Sequence, residues 1–216
     1  MKLYGYWRSS AAYRVRIALN LKQLTAEHVS VHLVNNGGEQ HTASFERLNP
    51  QNLVPALIDI GEHGDFCITQ SMAIIEYLDE SYPQSPLLPE RHQERAIVRA
   101  MAQTLACEVH PLDNLRVLKY LVNDMNVTEE NKMVWYHHWI HLGFKALEAQ
   151  LDKHAGQFCF GDSVTMADLC LIPQVYNARR FNVDMAAYPN ILRIDKACTD
   201  LAAFDAASPE KQHDAT

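Results

Sequence analysis

Three features of the sequence predict an α/β domain followed by an all-α domain. Over residues 1–80, runs with the two-residue period of strands alternate with runs at helical spacing. Residues 81–89, "SYPQSPLLP", hold three prolines and break both periods, so the linker falls there. From residue 90 to 216, apolar residues recur at helical spacing alone. Strands interleaved with helices make a small mixed sheet covered by helices; helices without strands must pack on one another.

In chain order, "KLYGYW" (2–7) is the first strand, and residues 11–22 are the first helix, with Ala11, Val15, Ala18 and Leu19 on one face. "HVSVHLV" (28–34) is the second strand and "NNGGEQH" (35–41) a loop. "ALIDI" (56–60) and "FCI" (66–68), joined by "GEHG" (61–64), form an antiparallel hairpin. "SMAIIEYLDE" (71–80) closes the domain as a helix. In the second domain, Ala96, Ala100, Leu105 and Val109 mark a long helix ending near Pro111, and Trp135, Trp139, Leu142 and Ala146 mark another. "TMADLCLIPQVYNARRF" (165–181) is a third helix, kinked at Pro173. The polar tail "DAASPEKQHDAT" (205–216) is expected to fray.

Composition narrows the function. The 216 residues are 48% hydrophobic, enough for a packed core, and carry a formal net charge of −7. An acidic chain lacks the basic surface that nucleic acid requires, so an anionic ligand must be drawn by a local arginine cluster. "MKLYGYW" opens without the apolar region of a signal peptide, and no run reaches membrane-span length, so a cytoplasmic protein without membrane contact is expected. Cysteines stand at 67, 107, 159, 170 and 198, an odd set without a C-x-x-C pair, which reads as reduced thiols and not as disulfides or a zinc site.

"WRSSAAYRVRIALN" (7–20) carries the chemistry. A helix start needs one capping hydroxyl, yet Ser9 and Ser10 are adjacent, with Arg8, Arg14 and Arg16 close by. Helix N-termini attract anions through free N–H groups and the macrodipole. A thiolate is a suitable anion. Lowering a thiol by about 2 units from its usual value near 8.5 takes about 2.7 kcal/mol. The helix end supplies about 0.3–1 kcal/mol and a hydrogen bond to a charged group about 1.5–3 kcal/mol. Helix end and hydroxyl together reach the requirement. No cysteine is adjacent in sequence, so the thiol must come on a ligand. Tyr6, at the end of the first strand, is a rival donor or a packed strand aromatic.

Two further pieces repeat the theme. In "NPQNLVPAL" (49–57), Pro55 opens a strand and cannot donate, so Val54 supplies the local backbone hydrogen bonds; a cis Val54–Pro55 bond would turn them toward a ligand. In "ITQSMAIIEYL" (68–78), Ser71 caps a helix whose Ile74, Ile75 and Leu78 face the core, and Gln70 precedes it, an arrangement that suits a carboxylate.

In this order, with "HPLDNLRVLK" (110–119) and "GDSVTMADLCLIPQVYNARRF" (161–181), these pieces resemble the zeta class of glutathione transferases across nearly the whole chain. The resemblance implies a thioredoxin-like N-terminal domain, a helical C-terminal domain, a homodimer, and glutathione as the bound thiol. Carried over, Ser9 and Ser10 hold the sulfur, and Val54, beside Pro55, pairs with the cysteinyl backbone. Gln70 and Ser71 grip the γ-glutamyl carboxylate, and Gln40, His110, Asn114 and Arg116 match further contact positions. Many members have Ser-Ser-Cys where this chain has Ser9-Ser10-Ala11, so Ala11 keeps a contact position but no thiol. His110 stands where relatives can carry glutamine.

The reaction the resemblance implies is isomerisation of maleylacetoacetate to fumarylacetoacetate in tyrosine and phenylalanine catabolism, with maleylpyruvate the competing substrate. Thiolate addition to the cis double bond allows rotation, and elimination releases the trans product. Arg8, Arg14 and Arg180 are the candidates to hold the substrate carboxylates and stabilise the enolate. Ser10 and Arg14 are four apart and share a helix face; Arg16 points elsewhere and reads as a surface ion pair. A broader glutathione-conjugating, dehalogenating or peroxide-reducing activity is the enzymatic alternative, and a protein-binding module the non-enzymatic one. The His137/His141 pair lacks a third ligand and reads as a packed or solvated face; "TMAD" (165–168) reads as a capping box for the third helix.

Overall fold

The computed structural model describes residues 1–61 and 64–216, with the backbone alone at Asn36. The chain divides into two compact units, residues 1–86 with 201–216, and residues 87–200.

The first unit is built from β1 (Lys2–Gly5), α1 (Ser10–Leu21), β2 (Glu27–Ser30), α2 (Ala43–Leu48), β3 (Ala56–Gly61), β4 (Gly64–Thr69) and α3 (Ser71–Ser81). The sheet order is β2-β1-β3-β4, with β1 parallel to β2 and antiparallel to β3. The parallel pair needs a crossover, which α1 provides; β3 and β4 pair as an antiparallel hairpin, whose Glu62–His63 join lies outside the described residues. Leu3 is paired with Leu57 across the central strands, and both are fully buried. Sequence reading passed over α2, a six-residue helix capped by the Thr42 hydroxyl, too short for a helical period to register.

The C-terminal segment departs from expectation. It does not fray: α9 (Ala202–Ala207) packs on α1, and residues 201–216 belong to the first unit rather than to the helical one. With α3 on one flank and α9 on the other, α1 is buried from Ser10 to Leu19, arginines included. The end of α1 is stapled as well: the Lys22 ammonium pairs with Asp79 at 2.8 Å and donates to the carbonyls of Tyr82, Gln84 and Ser85.

In the second unit α4 (His92–Gln103) runs into a π-helical turn, Thr104–Val109, before Pro111, and α5 (Leu115–Asn123), α6 (Glu129–His154), α7 (Met166–Arg180) and α8 (Pro189–Thr199) follow. Gly143 lets α6 approach the π turn, since a Cβ there would lie 2.1 Å from Val109 Cγ2. α7 continues through Pro173, and its first turn is held by Asp168, which accepts the Thr165 N–H at 2.8 Å and the Cys159 N–H at 2.8 Å.

Candidate active site

The β1–α1 turn, the 49–55 loop and the start of α3 carry the predicted residues of the first unit. Ser9 is the N-cap of α1, its Oγ accepting the Ala12 N–H at 3.2 Å. Ser10, the first helical residue, is buried, and so is Ala11. Tyr6 is buried against His32, with ring centroids 4.8 Å apart, and against Trp7, so its ring serves as wall. The Arg8 guanidinium lies 3.9 Å over the Trp7 ring.

Arg14 and Arg16 are both buried, and Arg16 overturns its surface-pair reading. Arg14 is 1% exposed, and its Nη1 donates to Ser71 Oγ at 3.3 Å, while Nε and Nη2 have no hydrogen-bond partner. Arg16 is 4% exposed and donates to the carbonyls of Ala207, Tyr6 and Trp7. The tertiary cause is α9, which covers the flank of α1 that the sequence leaves to solvent.

Ser71 is likewise not the cap. It is the first residue of α3, and its hydroxyl accepts from Arg14 instead of from the helix backbone. The N-cap position belongs to Gln70, at φ 70° and ψ 115°, whose Nε2 donates to Gln51 Oε1 at 2.7 Å. A glutamine at positive φ is a strained conformation of the sort that concentrates at ligand sites. The 49–55 loop is braced by Asn49, which donates to Leu53 O at 2.7 Å and accepts the Gln51 N–H at 3.1 Å. Val54–Pro55 is cis, and Pro55 is buried. Gln40 packs over Gly38, where a Cβ would stand 2.5 Å from its Nε2, and its buried Oε1 is unpartnered. Thus Arg14 ties the start of α1 to the start of α3, and two helix N-termini meet a buried cation.

In the helical unit, Asn114 is the N-cap of α5, its Oδ1 accepting the Arg116 N–H at 3.1 Å. Arg116 is exposed, and His110 ends the π turn. Arg180 is exposed, its guanidinium 4.9 Å over the Phe181 ring. Sequence reasoning missed Asp113, between His110 and Asn114. It is 9% exposed, neither carboxylate oxygen has a partner, and burial pushes its pKa up to about 8. An acid inside "HPLDNLRVLK" followed by a capping asparagine was the available signal. The histidines at 137 and 141 are engaged with Phe181 O and the Tyr188 hydroxyl, each at 2.8 Å, which accounts for both as packing.

Comparison with known proteins settles the family. The glutathione S-transferase N-terminal domain matches residues 1–80, and its C-terminal domain matches residues 140–204. A probable maleylacetoacetate isomerase of Vibrio cholerae is 54% identical over 99% of this chain and 97% of its own. The holo structure of maleyl pyruvate isomerase, a bacterial zeta-class glutathione S-transferase, is 45% identical with TM-score 0.94 over 100% of both chains. The chain belongs to the zeta class of glutathione S-transferases. A further member, maleylacetoacetate isomerase from Methylobacterium extorquens AM1 with bound malonate and GSH, is 42% identical with TM-score 0.93 over 100% of both chains. This zeta-class chain thus has the thioredoxin-like and helical domains the sequence predicted. Among the described residues no helix is long and apolar enough to cross a membrane.

Proposed function

We propose that this zeta-class transferase is a glutathione-dependent cis–trans isomerase that converts maleylacetoacetate to fumarylacetoacetate in tyrosine and phenylalanine breakdown. The observation that carries this reading is the buried Arg14 guanidinium, with two unpartnered nitrogens, joining two helix N-termini that present Ser9, Ser10 and Ser71. A buried cation amid helix ends suits an anionic ligand, because every one of those groups favours negative charge.

Glutathione fits the donor set: hydroxyls and helix N–H groups for a thiolate and a carboxylate, and the unpartnered Gln40 Oε1 for a donor group. When bound, glutathione supplies a thiol nucleophile for reversible addition to a conjugated double bond. Ser9 and Ser10 would hold the sulfur beside the N-terminus of α1. Ser9 already accepts from Ala12, which leaves its hydroxyl proton to donate. Val54, flanked by Pro55, would pair with the cysteinyl backbone, and Gln70 and Ser71 would receive the γ-glutamyl carboxylate; Ala11 and Gln40 complete this set. Arg8 and Arg14 would attract the diacid. In the helical unit, the same reading assigns His110, Asn114 and Arg116 to glutathione and Arg180 to the diacid.

The test supplies maleylacetoacetate and maleylpyruvate separately, with and without glutathione, and follows loss of the cis isomer. Turnover of maleylacetoacetate that requires glutathione is expected. Turnover without the tripeptide, or of maleylpyruvate alone, would overturn the assignment.

A further inference from the structure

We propose that Arg16 and Asp214 are positioning residues that clamp the Tyr6–Ser9 turn onto the C-terminal segment and so set where the Ser9 and Ser10 hydroxyls stand. The inference rests on reading that turn as the thiol-holding element.

The clamp has two jaws. On one side the Arg16 fork donates from Nη2 to Trp7 O at 3.0 Å and from Nη1 to Tyr6 O at 3.5 Å, while its Nε donates to Ala207 O at 3.0 Å. On the other side the Trp7 N–H donates to Asp214 Oδ2 at 3.2 Å, and the same oxygen accepts the Ser30 hydroxyl at 2.9 Å. Tyr6 O also accepts the Ser9 N–H at 2.9 Å, which joins the turn to the α1 cap. His28, His213 and Gln212 line the recess around this contact.

A planar guanidinium holds adjacent carbonyls in a defined orientation, which an ammonium does not. In a trans peptide the C=O and N–H point in opposite directions, so holding Trp7 O directs the Arg8 N–H and the chain entering Ser9. Hydroxyls that stabilise a thiolate act only when held at hydrogen-bond distance, and small displacements cost activity steeply. Arg16 and Asp214 act through the turn; neither is assigned to the ligand. The clamp also gives a task to a tail that composition marks as frayed.

The experiment uses the full chain and titrates the ultraviolet thiolate band of bound glutathione, alongside glutathione Kd and urea unfolding. Asp214→Ala is expected to raise the apparent pKa of the bound thiol by about half a unit or more, a roughly threefold loss of thiolate below it. Glutathione Kd should stay within about twofold, since the carboxylate-gripping end at α3 is untouched. Arg16→Lys should shift the titration further. Ser30→Ala, an exposed change that removes one of the two hydrogen bonds to Asp214, should shift it in the same direction and keeps the test open if Arg16→Lys does not fold. Lys211→Ala, whose amine pairs with Asp205 in the same segment, should leave it unchanged. Folded clamp variants that titrate like the unaltered protein, or a Lys211→Ala shift as large as theirs, would overturn the clamp. An unaltered protein whose bound thiol titrates like free glutathione would instead overturn the reading of the turn.

Discussion

The two flanks of α1 carry buried arginines two residues apart, and their surroundings differ. Toward α9, Arg16 donates to three backbone carbonyls and closes the packing. Toward α3, Arg14 keeps one hydrogen bond and two unpartnered nitrogens. A buried donor without a partner costs about 1–3 kcal/mol, so Arg14 is retained at a stability cost whereas Arg16 contributes stability. A pair of carboxyls in the helical unit repeats the contrast. Asp168 accepts from Cys159 and Thr165, while both oxygens of Asp113 are bare. Satisfied buried polar groups hold a fold together, whereas each unsatisfied one costs stability.

Substitutions can break this contrast. Arg16→Met takes the guanidinium from the buried Trp7 and Ala207 carbonyls, while Tyr6 O keeps the Ser9 N–H, and should lower unfolding free energy by about 4 kcal/mol, read as a lower urea midpoint at unchanged m-value. Arg14→Met should do the opposite. Its unfolding free energy should move by less than about 1 kcal/mol, because one lost hydrogen bond is offset by two removed orphan donors, while kcat/KM falls roughly 100-fold, about 2.7 kcal/mol. Equal stability losses in the two variants would erase the distinction between the flanks.

Asp113 sharpens it through pH. Its folded pKa, near 8, stands above the ordinary 3.8, so the fold holds the neutral acid while the open chain ionises. The stability this lends is complete at pH below the ordinary value and is lost as pH rises, by up to about 1.4 kcal/mol per unit, until the folded pKa is passed. Asp113→Asn should therefore gain on the unaltered protein by about 2–3 kcal/mol more at pH 7 than at pH 5, measured by urea unfolding at both. A gap that does not change with pH would mean Asp113 is ionised in the fold. The smallest effect is expected from Ser9→Ala, about 1 kcal/mol of stability from a lost cap, with a fall in turnover beyond what the stability change explains if the hydroxyl also serves the thiol.

Much of the candidate site was readable as residue types in order. The serine pair, the Val-Pro step and the Gln-Ser pair each sit at the start of an element, and element starts announce themselves locally. The caps show how far this goes. Ser9 is a cap because its hydroxyl meets a donor three residues on, a relation within one turn. Ser71 has the same local signature, yet its hydroxyl accepts from Arg14, 57 residues away. Asp113 was missed because a lone acid in a loop normally stays in water, and its burial depends on the packing around the π turn.

The order of residues along this chain dictated where helices and strands begin, their inward faces, and the hydroxyls and amides offered at helix ends. All of these follow from forces acting over a turn or a strand pair. Which buried charges find partners depended on contacts such as that of Arg16 with Ala207, 191 residues apart, made when α9 folds back onto α1. Short-range periodicity carries no record of such a return, because hydrogen bonds and burial are decided by distance in space.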